Sequence, residues 1–161
     1  MELTGNNDLF FLELAIEEAI KGMEAGEGGP FGCVIVKDNQ VLVRAHNRVL
    51  CTNDPTAHAE VVAIREACKA LNDFQLTGCT VYASCEPCPM CMGALYWARP
   101  ERIVYAASKQ DAAAAGFDDS FIYEEIAIPH AERQIPFIHV IHPEAGSVFE
   151  KWKAMENKTL Y

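Results

Sequence analysis

CTVYASCEPCPMCMGALYWARPERIVYAAS, residues 79–108, decides the architecture. CTVYAS is a β-branched and aromatic run of strand length, and RIVYAAS is a second one. Between them PMCMGALYWA is an unbroken apolar stretch introduced by Pro87 and Pro89, residues that fit a helix start. Two buried strands joined through a helix read as a parallel pair, because parallel neighbours need a crossover of that kind.

The flanking segments extend the same layered pattern. FGCVIVK (31–37) and QVLVRAH (40–46) are β-branched runs separated by Asp38-Asn39, which reads as a hairpin. In AHAEVVAIREACKAL (57–71), Val61, Ile64, Ala67, Cys68 and Leu71 share one helical face. Upstream, Leu12, Ile16, Ala19, Ile20 and Met23 recur at helical spacing behind the candidate caps Asn7 and Asp8, and Gly26 to Pro30 ends that helix. Beyond residue 108 the pattern is less regular. DAAAAGFDDSFIYEEI suggests loop and short helix, PFIHVI a fifth strand and GSVFEKWKAMENK a terminal helix. The sum is an α/β domain with a mixed sheet.

Composition bounds the function. At 161 residues, 50% of them hydrophobic and 22% charged, the chain has room for one domain with a sizeable core. Thirteen basic against 23 acidic side chains give a formal charge of −10, which repels polyanions and argues against a nucleic-acid partner. The opening MELTGNNDLFFLELAIEEAI has an acidic residue where an export signal needs positive charge. No apolar run approaches the ~18 residues of a membrane span. With an odd count of seven cysteines, the expectation is a reduced, cytoplasmic, non-membrane protein in which some cysteines bind metal.

The chemistry-bearing signal is His58-Ala59-Glu60, followed by Pro87-Cys88-Pro89-Met90-Cys91. One His and two Cys supply three ligands to zinc and leave a fourth position for water, which marks a catalytic site. Glu60, close to those ligands without being one, is placed to exchange protons with that water, as in the H-x-E…P-C-x-x-C pattern of zinc deaminases. Other readings exist. A lone C-x-x-C also marks a redox pair, and cysteines in apolar runs are commonly core residues. Cys85-Glu86-Pro87-Cys88 is an overlapping C-x-x-C, so His58 with three cysteines would make a closed structural site.

Gly28–Gly32 (GGPFG), Asn53–Glu60 (NDPTAHAE), Ser84–Cys91 (SCEPCPMC) and Ala115–Tyr123 (AGFDDSFIY) together resemble the bacterial guanine deaminases of the cytidine-deaminase-like superfamily. The resemblance implies a three-layer α/β/α fold with a central mixed five-stranded sheet. It implies Zn2+ on His58, Cys88 and Cys91, Glu60 as proton shuttle, and Asp119 as a second acid beside the leaving amino group. Asn47 would hydrogen-bond the base, Phe31 would stack on it, Trp97 would close the pocket wall, and Ala59 and Tyr161 would be further substrate contacts. Each has a plainer reading: a turn residue for Asn47, core aromatics for Phe31 and Trp97, a solvated turn for Asp118-Asp119. The resemblance also implies a homodimer in which the segment from about Pro136 to Tyr161 crosses to the other subunit. The implied reaction is hydrolysis of a small purine, guanine to xanthine and ammonia. Deaminases of guanosine, cytosine, a triazine or tRNA adenosine, and a zinc-stabilised binding domain without activity, remain as alternatives.

Overall fold

A computed structural model describes residues 5–161. The chain forms two compact units, residues up to Asp119 and Ser120–Tyr161. In the first, α1 (Gly5–Glu24) leads into the hairpin β1 (Gly32–Lys37) and β2 (Gln40–His46). Asp38 and Asn39 both have positive φ, 50° and 62°, the conformation that a two-residue hairpin turn requires. A short helix α2 (Val49–Thr52) precedes α3 (Ala59–Leu71), β3 (Cys79–Cys85), α4 (Pro89–Ala98), β4 (Arg102–Ala107) and α5 (Lys109–Ala114). The second unit holds α6 (Ser120–Ala127), a 3-10 turn at His130–Glu132 and α7 (Ala145–Ala154). Among the described residues no helix is long and apolar enough to cross a membrane.

The sheet runs β2-β1-β3-β4, with β1 antiparallel to both neighbours and β3 parallel to β4. It is a mixed sheet of four strands, not the five expected. The missing strand is PFIHVI. Those residues lie in the second unit with no ladder partner among the described residues, and Ile138, Val140 and Ile141 are exposed. A β-branched run favours extended backbone, but only a neighbouring strand makes it a ladder.

Side-chain alternation on β1 divides the core. Cys33 and Ile35 join Ala59, Val62, Ala63 and Ala67 of α3 and Leu95 and Ala98 of α4. Val34 and Val36 join Phe11 and Ala15 of α1 and Tyr82 of β3. Buried on both faces, β1 has no polar side chain before Lys37. On α1 the inward face is rotated from the expected stripe: Phe11, Ala15, Glu18 and Ala19 are buried, while Ile16, Ile20 and Met23 are exposed. Asn7 and Asp8 lie within the helix, and Asp8 is held by Arg102 (2.6 and 3.0 Å) and the Tyr82 hydroxyl (2.7 Å).

The closest approach in this layer is at Gly32. A Cβ there would fall on the Ala15 carbonyl oxygen and lie 2.6 Å from the Ala19 nitrogen, both backbone atoms of α1. Neither can move without lifting the helix from the sheet. Gly32→Ala is therefore expected to destabilise the fold by about 2–3 kcal/mol, read as a lower midpoint in urea unfolding with an unchanged slope.

Candidate active site

Both halves of the zinc motif sit at helix starts. His58 is the N-cap residue of α3, with Ala59 and Glu60 in the first turn; Cys88 is the N-cap residue of α4, followed by Pro89 and, within that first turn, Cys91. Pro89 suits its position because the first helical N–H has no intrahelical acceptor to lose. The helix ends are brought together, with Nδ1 of His58 3.6 Å from Sγ of Cys88 and 3.6 Å from Sγ of Cys91. The three donor atoms lie within 4.8 Å of one another.

This spacing fits a tetrahedral ion. Zinc bonds of ~2.3 Å to sulfur and ~2.0–2.1 Å to nitrogen, at a tetrahedral angle, set an N···S edge of about 3.6 Å. Cys85 stands outside the cluster: its sulfur donates to the Ser108 carbonyl at 3.5 Å from the end of β3. The donor set is thus one imidazole and two thiols, with the fourth corner not filled by a protein ligand among the described residues.

The electrostatics prepare the same chemistry. The Cys91 hydrogen bond first, and then the His58 hydrogen bond, pull the Cys88 thiol down to about 4 against the opposing effect of burial. Cys91 is pushed up by the same bond, by burial and by the Glu60 charge, so the proton of the pair rests on Cys91. One further deprotonation then supplies two thiolates. The His58 pKa is raised, chiefly by its hydrogen bond to Cys88. Glu60 is 7% exposed, and burial pushes its carboxyl above the usual range. A carboxyl raised in this way holds a proton more readily than an exposed one.

Asn47 follows β2 directly and is 5% exposed. Its N–H donates to the Phe31 carbonyl (3.0 Å), and its Oδ1 accepts from the Val49 N–H (3.1 Å). With Oδ1 engaged, the NH2 is the end of the amide that a ligand can use. Phe31 is half-buried and meets Phe117 edge to face, with ring centroids 5.0 Å apart at 88°. Phe117 was not singled out from the sequence. It lies 86 residues from Phe31, and no local spacing links them. Asp119 is half-buried, and its carboxyl is raised by burial first and by the Cys88 charge second, which puts it in the field of the metal-binding cluster. Ala59 is fully buried at the first turn of α3, where helical N–H groups lack intrahelical partners. Trp97 is 66% exposed on α4, and Tyr161 is exposed at the end of the second unit.

Comparison with known proteins follows the same outline. The chain is 56% identical to guanine deaminase of Bacillus subtilis over 151 residues, 94% of this chain and 97% of that protein. The X-ray structure of the B. subtilis guanine deaminase superposes with a TM-score of 0.93, covering 95% of this chain and 98% of that one. A guanine deaminase structure from Nitrosomonas europaea matches at 29% identity and a TM-score of 0.61, over 74% of this chain and 68% of that one. The tRNA-specific adenosine deaminase of Aquifex aeolicus is 46% identical, but over only 61% of this chain and 64% of its own length. Residues 6–107 match the family described as the cytidine and deoxycytidylate deaminase zinc-binding region. That span contains His58, Glu60, Cys88 and Cys91, and the chain belongs to this deaminase family.

Proposed function

We infer that this chain catalyses the hydrolytic deamination of guanine to xanthine and ammonia. The observation that carries the reading is the three-donor cluster at the starts of α3 and α4 with the buried Glu60 against it, the Cys91 thiol donating to Glu60 at 3.3 Å. The choice of guanine is supported by the likeness to a guanine deaminase over nearly the full length of both chains. The tRNA-specific relative stops short of that coverage, and a net charge of −10 suits a small neutral base better than a polyanion.

His58, Cys88 and Cys91 are the residues that would hold zinc. Bound there, the ion supplies Lewis acidity that lowers the pKa of a water to about 7. Glu60 takes a proton from the attacking water and delivers it to the ring nitrogen N3, as C2 becomes tetrahedral. A second proton carried to the exocyclic nitrogen lets the C2–N bond break, with ammonia leaving and the oxygen retained as the new carbonyl. Asp119 accepts N–H from the departing amino group and assists its loss. Asn47 donates its NH2 to an acceptor on the base, Phe31 stacks on the ring, and the first-turn N–H groups around Ala59 offer further donors. Trp97 closes the pocket wall.

We further propose a homodimer in which the segment from about Pro136 crosses to the other subunit. Ile138, Val140, Ile141 and Phe149 are exposed apolar side chains that such an exchange would cover. Light scattering is expected to give twice the chain mass, and an active monomer would remove this part of the reading.

Ammonia release across a panel of bases and nucleosides should place guanine first. Metal analysis should find about one zinc per chain, lost in Cys88→Ala and kept in Cys85→Ala; equal loss in both would replace the ligand set. Glu60→Gln should keep zinc and lose about 10²–10⁴-fold in kcat. Asp119→Ala should suffer a comparable loss in guanine turnover with zinc retained, about 10²-fold or more, and Asp118→Ala a milder one. An Asp119→Ala enzyme that kept most of its kcat/KM would end the second-acid assignment.

A further inference from the structure

His46, Glu18 and Glu27 form a group that the reaction above does not use. His46 Nδ1 lies 3.1 Å from Oε2 of Glu18, and its Nε2 lies 2.7 Å from Oε2 of Glu27. Glu18 comes from the buried face of α1 and is 5% exposed, an environment that costs free energy unless the charge is matched. It is also met by Arg44 at 3.1 Å and Lys21 at 3.6 Å, while Glu17 takes the other end of Arg44 at 2.9 Å. Burial pushes the Glu18 carboxyl up, but the His46 hydrogen bond and the two cations outweigh it and hold it below the usual range. Glu27 is lowered as well, chiefly by its own His46 bond.

The placement of these residues gives them a purpose. On β2 the side chains alternate: Val43 and Ala45 join the core beneath α3, whereas Arg44 and His46 meet the carboxylates of α1. Asn47 is the next residue, directly after the strand, so the anchored imidazole is its immediate neighbour in the chain. Glu27 fixes the other flank. Its carbonyl accepts from the N–H groups of Leu50 and Cys51 (3.0 and 3.1 Å), and its own N–H donates to the Gly22 carbonyl (3.0 Å). Asn47 is therefore bracketed in sequence by His46 before it and Leu50-Cys51 after it, and both sides are tied to Glu27.

Two glycines show how tightly the bracket closes. A Cβ at Gly22 would sit 2.6 Å from Cγ of His46, and one at Gly28 would fall on Oδ1 and the carbonyl oxygen of Asn47. The imidazole lies on bare α1 backbone, and the Asn47 amide lies on bare loop backbone. With Oδ1 of Asn47 already fixed by the Val49 N–H, what remains to be set is where the amide stands, and the bracket sets it.

We propose that Glu18, His46 and Glu27 are positioning residues that hold the Asn47 amide at the height and angle at which it meets the base. The proposal rests on the reading of Asn47 as a substrate contact. None of the three needs to touch substrate, and their effect on turnover should pass through Asn47 alone.

A double-mutant cycle tests this. His46→Ala is made in the native protein and in Asn47→Ala, with kcat, KM and zinc content measured on guanine, or on whichever base the substrate panel shows to be turned over. In the native background the expected loss in kcat/KM is about tenfold, carried by KM, with zinc retained; in Asn47→Ala the same change should cost less than about twofold. His46→Gln, which keeps a donor toward Glu27, should recover to within about threefold of the native enzyme. Equal losses in both backgrounds would make the group a purely structural tie and overturn the proposal, as would native kinetics for His46→Ala. Native kinetics for Asn47→Ala would remove the base contact and the bracket's role together, whereas additive losses beside a damaged Asn47→Ala would remove the bracket alone. If His46→Ala does not fold, Glu27→Gln goes through the same cycle under the same criteria.

Discussion

Three donor atoms must share one coordination sphere although His58 is 30 residues from Cys88 and 33 from Cys91. That requirement is met by strand direction. Because β1 is antiparallel to both β2 and β3, β2 runs parallel to β3, and β3 runs parallel to β4. The carboxyl ends of β2, β3 and β4 therefore lie along one edge of the sheet, where open α/β sheets place their ligands. Asn47 leaves the end of β2, α3 opens beyond it with His58, Cys88 leaves the end of β3, and the chain beyond β4 leads to Asp119. Phe31 enters β1 at the same edge. The reagents are drawn from distant positions, yet each is only a few residues to about a dozen residues from a strand end.

The same edge determines the electrostatics. Two helix N-termini converge there, and their N–H groups and dipoles favour negative charge. Glu60 lies deeper, where burial raises its carboxyl, while Cys88 at the lip is held as a thiolate. One site thus holds a carboxyl raised by burial beside a thiol lowered by hydrogen bonding. The difference comes from depth and hydrogen bonding, since the helical environment is similar for both.

Much of this was legible in the sequence because it is local. The strand, helix and strand of residues 79–108, the Asp38-Asn39 hairpin and the two halves of the metal motif are each written within a short window. The fifth strand failed because β-propensity at Pro136–Ile141 says nothing about whether a neighbouring strand is there to pair with. The face of α1 was misplaced for a related reason. Its expected stripe of Leu12, Ile16, Ala19, Ile20 and Met23 shares only Ala19 with the buried Phe11, Ala15, Glu18 and Ala19, because the small residues allow the backbone of α1 to lie against Gly32. Close packing outweighed hydropathy. Glu18 was out of reach by pattern, because its burial depends on His46 and Arg44, 28 and 26 residues away. Phe117 was hidden in the same way, since its meaning lies in a ring 86 positions earlier.

The match to the wider deaminase family ends at residue 107, which is also the last residue of β4. Everything needed to cage a metal ion and shuttle a proton is complete by that point, while Phe117 and Asp119 come after it. With Asp119 meeting the base as proposed and Phe117 against Phe31, a change confined to the stretch beyond the last strand alters substrate contacts and leaves His58, Cys88 and Cys91 in place. On that proposal the border of the sheet is a seam, with the metal cluster and the proton carrier on one side and part of the choice of substrate on the other.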